Sequence, residues 1–170
     1  MTTAVERRLA TGLRALLGLV LLGMVAINVV NAGGRYLGLG LPPGLDELLV
    51  FAMIWLVMAG AVLALLEREH LAIDLLPEAL GPAARTVLLL LSHLVVLAVS
   101  LVVVRQSWLF IARIDRLGQV SMGLGVPMTW PHAAVLAGFA GMALVALWLL
   151  GRDAAALFGR DAAALRRGGA

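Results

Sequence analysis

The chain contains no cysteine and no lysine, and only 14% of its 170 residues are charged. Without cysteine, disulfides, thiolate metal sites and thiol chemistry are excluded, and the redox compartment leaves no mark on the sequence. Without lysine, all thirteen basic residues are arginines, scattered and gathered mainly at the ends of apolar runs. The sequence pI near 11 therefore points away from nucleic acid and toward the orientation of helices. Also missing are a nucleophile with a positioned base, a glycine-rich phosphate loop and a zinc-type ligand cluster. No catalysis, cofactor or metal site is expected on those grounds.

Apolar surface is what the chain has in excess. With 62% hydrophobic residues and a mean hydropathy of +1.03, it exceeds an ordinary soluble domain, and an integral membrane protein of the all-α class is expected. The stretch 44–77 sets the pattern. Residues 48–66 are nineteen positions without a charge, and at ~1.5 Å per helical residue they match the roughly 30 Å hydrocarbon thickness of a bilayer. Asp46 and Glu47 open this run, where the unpaired N–H groups and positive dipole end of a helix favour carboxylates. Glu67, Arg68, Glu69, His70 and Asp74 close it. Trp55 falls mid-span, away from the interfacial belt, and faces either a neighbouring helix or lipid.

Three further runs complete the plan. The first, 15–30, follows Arg7, Arg8 and Arg14. Val30-Asn31-Ala32 fits a signal-peptide cleavage pattern, but the run is long for such a segment, which favours an uncleaved helix. Asn28, Asn31 and Arg35 recur at i, i+3 and i+7, giving this helix a polar face near its end, and Arg35-Tyr36 forms an interfacial anchor. From the third run, 86–104, into the residues just after it, Thr86, His93, Ser100 and Ser107 recur every seven residues and favour a polar helix–helix seam. The fourth run is 133–150, with small-residue pairs Ala134/Gly138 and Ala137/Gly141, matched by Gly60/Ala64 in the second. Residues 105–118 either extend the third helix or lie along the interface.

The expected helices span about 9–34, 45–67, 84–106 and 131–151, forming one membrane domain over 1–151. Residues 152–170 read as a frayed polar cytoplasmic tail, with Gly-Arg-Asp-Ala-Ala-Ala-Leu at 151–157 and again at 159–165. Nine arginines fall on one side (Arg7, Arg8, Arg14, Arg68, Arg85, Arg152, Arg160, Arg166, Arg167) and four on the other (Arg35, Arg105, Arg113, Arg116). The positive-inside rule then places both termini in the cytoplasm. A haem between two histidines is disfavoured by depth: His70 lies past one end of helix two, His93 some way into helix three, and His132 at the opposite side. His70 and Asp74, four apart, suit a helix-end hydrogen bond better than an ion site. Asp46 and Glu47 serve either as caps with Arg35 as counter-charge, or as a site for a cation or a partner's basic patch.

Taken in order, Arg35-Tyr36, the acids opening helix two, Trp55, Gly60 and His70-Leu71-Ala72-Ile73-Asp74-Leu75 resemble the small membrane subunit of tripartite ATP-independent periplasmic (TRAP) transporters. The resemblance covers roughly 28–90, and Gly123-Leu124-Gly125-Val126-Pro127 is similar too. The chain departs from the family pattern at Pro43-Gly44-Leu45, where an aromatic is usual, at Asp46, where Glu is commoner, and at Glu67-Arg68-Glu69. The resemblance implies a four-helix subunit of the bacterial inner membrane. It would bind a large permease subunit that carries the substrate and sodium sites, and work with a periplasmic substrate-binding protein delivering an organic acid. On this reading Arg35, Tyr36, Asp46, Glu47, Trp55, His70, Asp74, His93 and Ser100 are candidate partner contacts, and the chain is a scaffold without chemistry of its own. The competing readings are a membrane anchor subunit of an oxidoreductase complex and a self-associating four-helix protein.

Overall fold

The structure, a computed structural model, describes residues 4–39, 44–67 and 82–168. Four helices account for nearly all of them: α1 Ala4–Tyr36, α2 Leu45–Leu66, α3 Pro82–Leu117 and α4 Thr129–Gly168. Each contains a segment long and apolar enough to cross a membrane, Ala10–Tyr36, Leu45–Leu66, Val87–Leu117 and Thr129–Ala155. The chain is therefore a multi-pass membrane protein of the all-α class.

Two boundaries differ from expectation. Residues 105–117 continue α3, because no glycine or proline interrupts the chain between Pro82 and Gly118. The tail that reads as frayed carries α4 on to Gly168, since the Arg-Asp-Ala-Ala-Ala-Leu repeats are strong helix formers adjoining an already nucleated helix. The two helices that end toward the α3–α4 loop stop alike. Gly38 (φ 69) and Gly118 (φ 59) take the left-handed conformation. The N–H groups of Leu39 and Gln119 then reach back to the carbonyls of Gly34 and Ile114.

The helices do not close into a ring. α4 packs most extensively on α3 and next on α2, while α1 packs chiefly on α2, giving a lateral order α1, α2, α4, α3. Small residues set the closest approach. A Cβ on Gly138 would stand 2.7 Å from Met58 Cβ, and one on Gly141 would stand 3.0 Å from Val62 Cγ2, so these glycines let α2 and α4 touch. Gly60, by contrast, has nothing within 4 Å, so the small-residue pair in α2 is not used in this way within the chain. The buried core is Leu65, Ala146 and Leu149, with Val96, Leu97, Met142 and Val145 packed around it. It sits where α2, α3 and α4 converge.

Candidate functional site

Polar side chains gather at two levels of the helix array. From Asp46 to Glu67 is 21 residues of helix, ~32 Å at 1.5 Å per residue, so the two levels stand one hydrocarbon thickness apart. Between them α1 and α2 are apolar, and at each level an ionic contact joins the two helices.

At the loop-side level the adjacent acids diverge. Asp46 turns to α1: its Oδ1 accepts a 2.7 Å hydrogen bond from the Asn31 side-chain amide, and its Oδ2 pairs with the Arg35 guanidinium. Asn31 is buried by this contact, whereas the Arg35 and Asp46 side chains stay more than half exposed. Glu47 turns the other way. Its Oε1 and Oε2 accept the backbone N–H groups of Gly123 and Leu124 at 2.9 and 3.0 Å, tying α2 to the α3–α4 connection. Charge assistance and the positive end of α2 both favour this carboxylate.

The connection is itself folded. Val120 and Pro127 form an antiparallel bridge, Ser121 N–H donates to the Val126 carbonyl at 2.8 Å, and the Ser121 hydroxyl accepts from Val126 N–H at 3.3 Å. Met122, at its tip, is fully exposed. The loop lies so close to α2 that a Cβ on Gly123 would stand 2.8 Å from Gly44 Cα. Gly44 is also the N-cap of α2, with φ 95 and no side-chain cap bond. The acids therefore do not cap their helix, as one reading of the sequence expects; they bridge to other elements.

At the opposite level Arg14 of α1 pairs with Glu67, the residue that caps the C-terminus of α2. Nearby in depth, His93 of α3 and Asp153 of α4 approach to 3.4 Å between Nδ1 and Oδ2, both buried. Arg152 flanks them, its guanidinium 5.0 Å from the Trp148 ring and its Nε 3.8 Å from Asp153. Ser100, two turns along α3 from His93, is equally buried. Of the expected stripe on α3, His93 and Ser100 are buried inside the chain, with His93 set against Asp153 of α4; Ser107 is half-buried, and the Thr86 side chain lies outside what the structure describes.

The remaining sequence candidates divide. Tyr36 is almost wholly exposed, and Trp55, partly exposed, borders an apolar cleft with Leu13 and Leu17 of α1 and Ala134 and Ala137 of α4. His70 and Asp74 lie outside the described residues. His93 and His132 sit at opposite ends of the α3–α4 pair, His132 stacked edge-on against Phe110 at 4.8 Å between centroids. The partners that sequence reasoning misses are Asp153, which reads as tail, and Gly44 and Gly123, whose apposition joins positions 79 apart. Only the helix periods carry a local signal, and Asp153 lies beyond the expected end of the last one.

What these contacts do is tie neighbouring helices together near both ends of their apolar segments. Residues 21–156 match the family described as "Tripartite ATP-independent periplasmic transporters, DctQ component". The chain belongs to that family and is a component of a TRAP transporter of the small permease kind. A Haemophilus influenzae protein named "Putative TRAP transporter small permease protein" is 28% identical over 116 residues, covering 68% of this chain and 69% of that relative.

Proposed function

We propose that this chain is the small, non-catalytic subunit of a sodium-coupled, binding-protein-dependent secondary transporter for an organic acid. It resides in the bacterial inner membrane with both termini in the cytoplasm, where nine of thirteen arginines then lie. Its partners are a large permease subunit and a periplasmic substrate-binding protein. The observation that carries the reading is family membership joined to uncovered apolar faces. None of the most apolar window of α1 is buried inside the chain, and only 11%, 11% and 33% of those of α2, α3 and α4. Such faces need lipid or another subunit.

As a scaffold, the array offers the large subunit a wall whose helices are pinned at both membrane levels. Trp55 and the exposed α1 face suit contact with that subunit, and His70 and Asp74 suit contact at the cytoplasmic side. Tyr36 and the loop anchored by Glu47 suit the binding protein, with Arg35, Asp46 and Glu47 holding that surface in place. His93 and Ser100 act from within, by fixing α3 on α4.

A mild-detergent pull-down of the tagged chain tests the assembly: a large permease subunit is expected to co-purify, and its absence overturns the reading. Orientation is tested in this cysteine-free chain by Met122→Cys and Gly169→Cys. The first is expected to react with an impermeant thiol reagent applied from the periplasm and the second is not; the reverse pattern overturns the topology.

A further inference from the structure

Between α1 and α2 lie recesses that share Arg35, Tyr36 and Asp46 with the proposed docking surface and reach below it. Asn28, Asn31, Arg35, Tyr36 and Asp46 line a polar pocket of about 370 Å³ at the loop-side level. Asn28 and Asp46 also open a second recess, about 330 Å³, that continues between the two helices over Leu21, Val25, Val50 and Met53. A recess lined mainly by polar residues thus adjoins an apolar furrow across Asn28 and Asp46.

The dimensions restrict what fits. From Asn28 to Leu21, and from Asp46 to Met53, is seven residues, ~10 Å of helix. That depth is most of one leaflet, ~15 Å, and well short of the ~30 Å that a transmembrane partner helix would press against. The cleft beside Trp55 offers no such polar mouth, being lined by Leu, Met, Val, Ala, Gly and Trp alone.

Charge restricts it further. The Arg35 and Asp46 side chains are 65% and 61% exposed although paired, so each keeps donor or acceptor capacity facing the pocket. Asn28 is exposed on the polar stripe, with no hydrogen-bond partner among the described residues. An exposed amide at this depth meets lipid ester carbonyls better than hydrocarbon. A cation and an anion side by side complement a zwitterion whose phosphate meets Arg35 and whose ammonium meets Asp46. An anionic headgroup would satisfy Arg35 and be opposed by Asp46, and a choline headgroup has no N–H to give.

We infer that this composite site binds one phospholipid of the loop-side leaflet, a phosphatidylethanolamine, with its headgroup in the Asn28–Arg35–Asp46 pocket and one acyl chain in the furrow. The lipid would complete the polar face of α1 and fill the gap that the end contacts leave between α1 and α2.

Native mass spectrometry of the purified full chain tests this, with phosphatidylethanolamine, phosphatidylglycerol and phosphatidylcholine of identical chains titrated in turn. A one-to-one adduct is expected, retained several-fold better for phosphatidylethanolamine than for the other two. Arg35→Gln also loosens the helix pair, so the deciding variant is the furrow block Val25→Trp with Val50→Trp, which leaves the Arg35–Asp46 pair in place. It is expected to abolish the adduct, while Leu144→Trp on exposed α4 surface leaves it unchanged. Equal retention of the three lipids, or an adduct that survives the furrow block, overturns the inference. So does a furrow block that keeps the lipid yet loses the large permease subunit on co-purification, since the occupant is then a partner helix.

Discussion

The two outer helices of the array are attached by different physics. α3 lies on α4 along a continuous seam, with His93 and Ser100 buried and the Leu65, Ala146 and Leu149 core beside it. α1 lies on α2 with none of its most apolar window buried, held at its two ends by Asn31 and Arg35 on Asp46 and by Arg14 on Glu67. In hydrocarbon, apolar side chains gain little by leaving lipid, so association rests on close packing and polar contacts. α3–α4 uses both along its length. α1–α2 relies on polar contacts where water and headgroups compete. An edge helix fastened only at its ends can keep an apolar face open for another subunit or a lipid, whereas a seam closes the face it uses.

The contrast breaks most sharply if the packed side is overfilled. Gly138→Leu drives a side chain into Met58, whose Cβ would lie only 2.7 Å from the first added carbon, and is expected to lower stability by about 3 kcal/mol, at the upper end for overpacking. A matched Gly60→Leu meets nothing within 4 Å inside the chain and is expected to leave the isolated subunit's thermal midpoint nearly unchanged. Comparing the two midpoints in one detergent checks this. A large loss for Gly60→Leu alone would mean that α2, not α4, supplies the close contact.

A smaller effect is expected at the buried polar pair. Asp153→Leu removes the buried carboxylate whose Oδ2 stands 3.4 Å from His93 Nδ1, and with it the charge complement of a buried imidazole, at a cost of about 2 kcal/mol. The double replacement His93→Leu with Asp153→Leu is expected to recover most of that loss, because a buried polar pair exchanged for apolar groups is close to neutral. Equal losses for single and double variants would mean that each group contributes through its other contacts and not through the other's charge.

These cases show what the sequence can disclose. Four spans, their order and the polar stripes on α1 and α3 follow from period and length, so Asn31, Arg35, His93 and Ser100 are visible as members of polar faces. Asp46 and Glu47 are visible as a pair, but nothing in adjacent positions tells that one side chain turns to α1 and the other to a loop 76 residues away. That divergence comes from the ~100° between successive side chains on a helix, combined with a lateral order that periodicity does not encode. Asp153 is hidden because the arginine after Gly151 looks like an exit from the membrane, while the helix continues and α3 lies beside it.

Glu47 offers a test of the next smaller size. Glu47→Gln keeps the shape but removes the charge from an acceptor of two backbone N–H groups, and a loss of stability below that of Asp153→Leu is expected, because water reaches this carboxylate. The loop reports it: amide exchange at Gly123 and Leu124 should quicken while that of α3 and α4 stays the same. Gly44→Ala tests the same junction through the backbone, because φ 95 and the 2.9 Å approach to Gly123 both disfavour a Cβ. If amide exchange across 119–127 were unaffected by either change, the loop would be held by its own bridge and not by α2.

The smallest effect is expected at the terminus-side end of α1, and it says most about the edge. Arg14 is half exposed where it meets Glu67, whose own side chain is 14% exposed, so the pair is open to solvent on the arginine side only and is expected to contribute about 1 kcal/mol, the upper end for a surface pair. Arg14→Gln should hardly move the thermal midpoint, yet it frees one of the two ends that hold α1. Spin labels at Leu16 and Leu66, both exposed, should then report a broader distance distribution between α1 and α2, while a pair on α3 and α4 stays narrow. Added salt should broaden the wild-type α1–α2 distribution part of the way toward that of the variant, since ions reach the half-exposed arginine and leave packed side chains untouched. A distribution unchanged by both the substitution and salt would show that α1 is held by its apolar contacts, and the distinction between a fastened edge and a packed seam would fall.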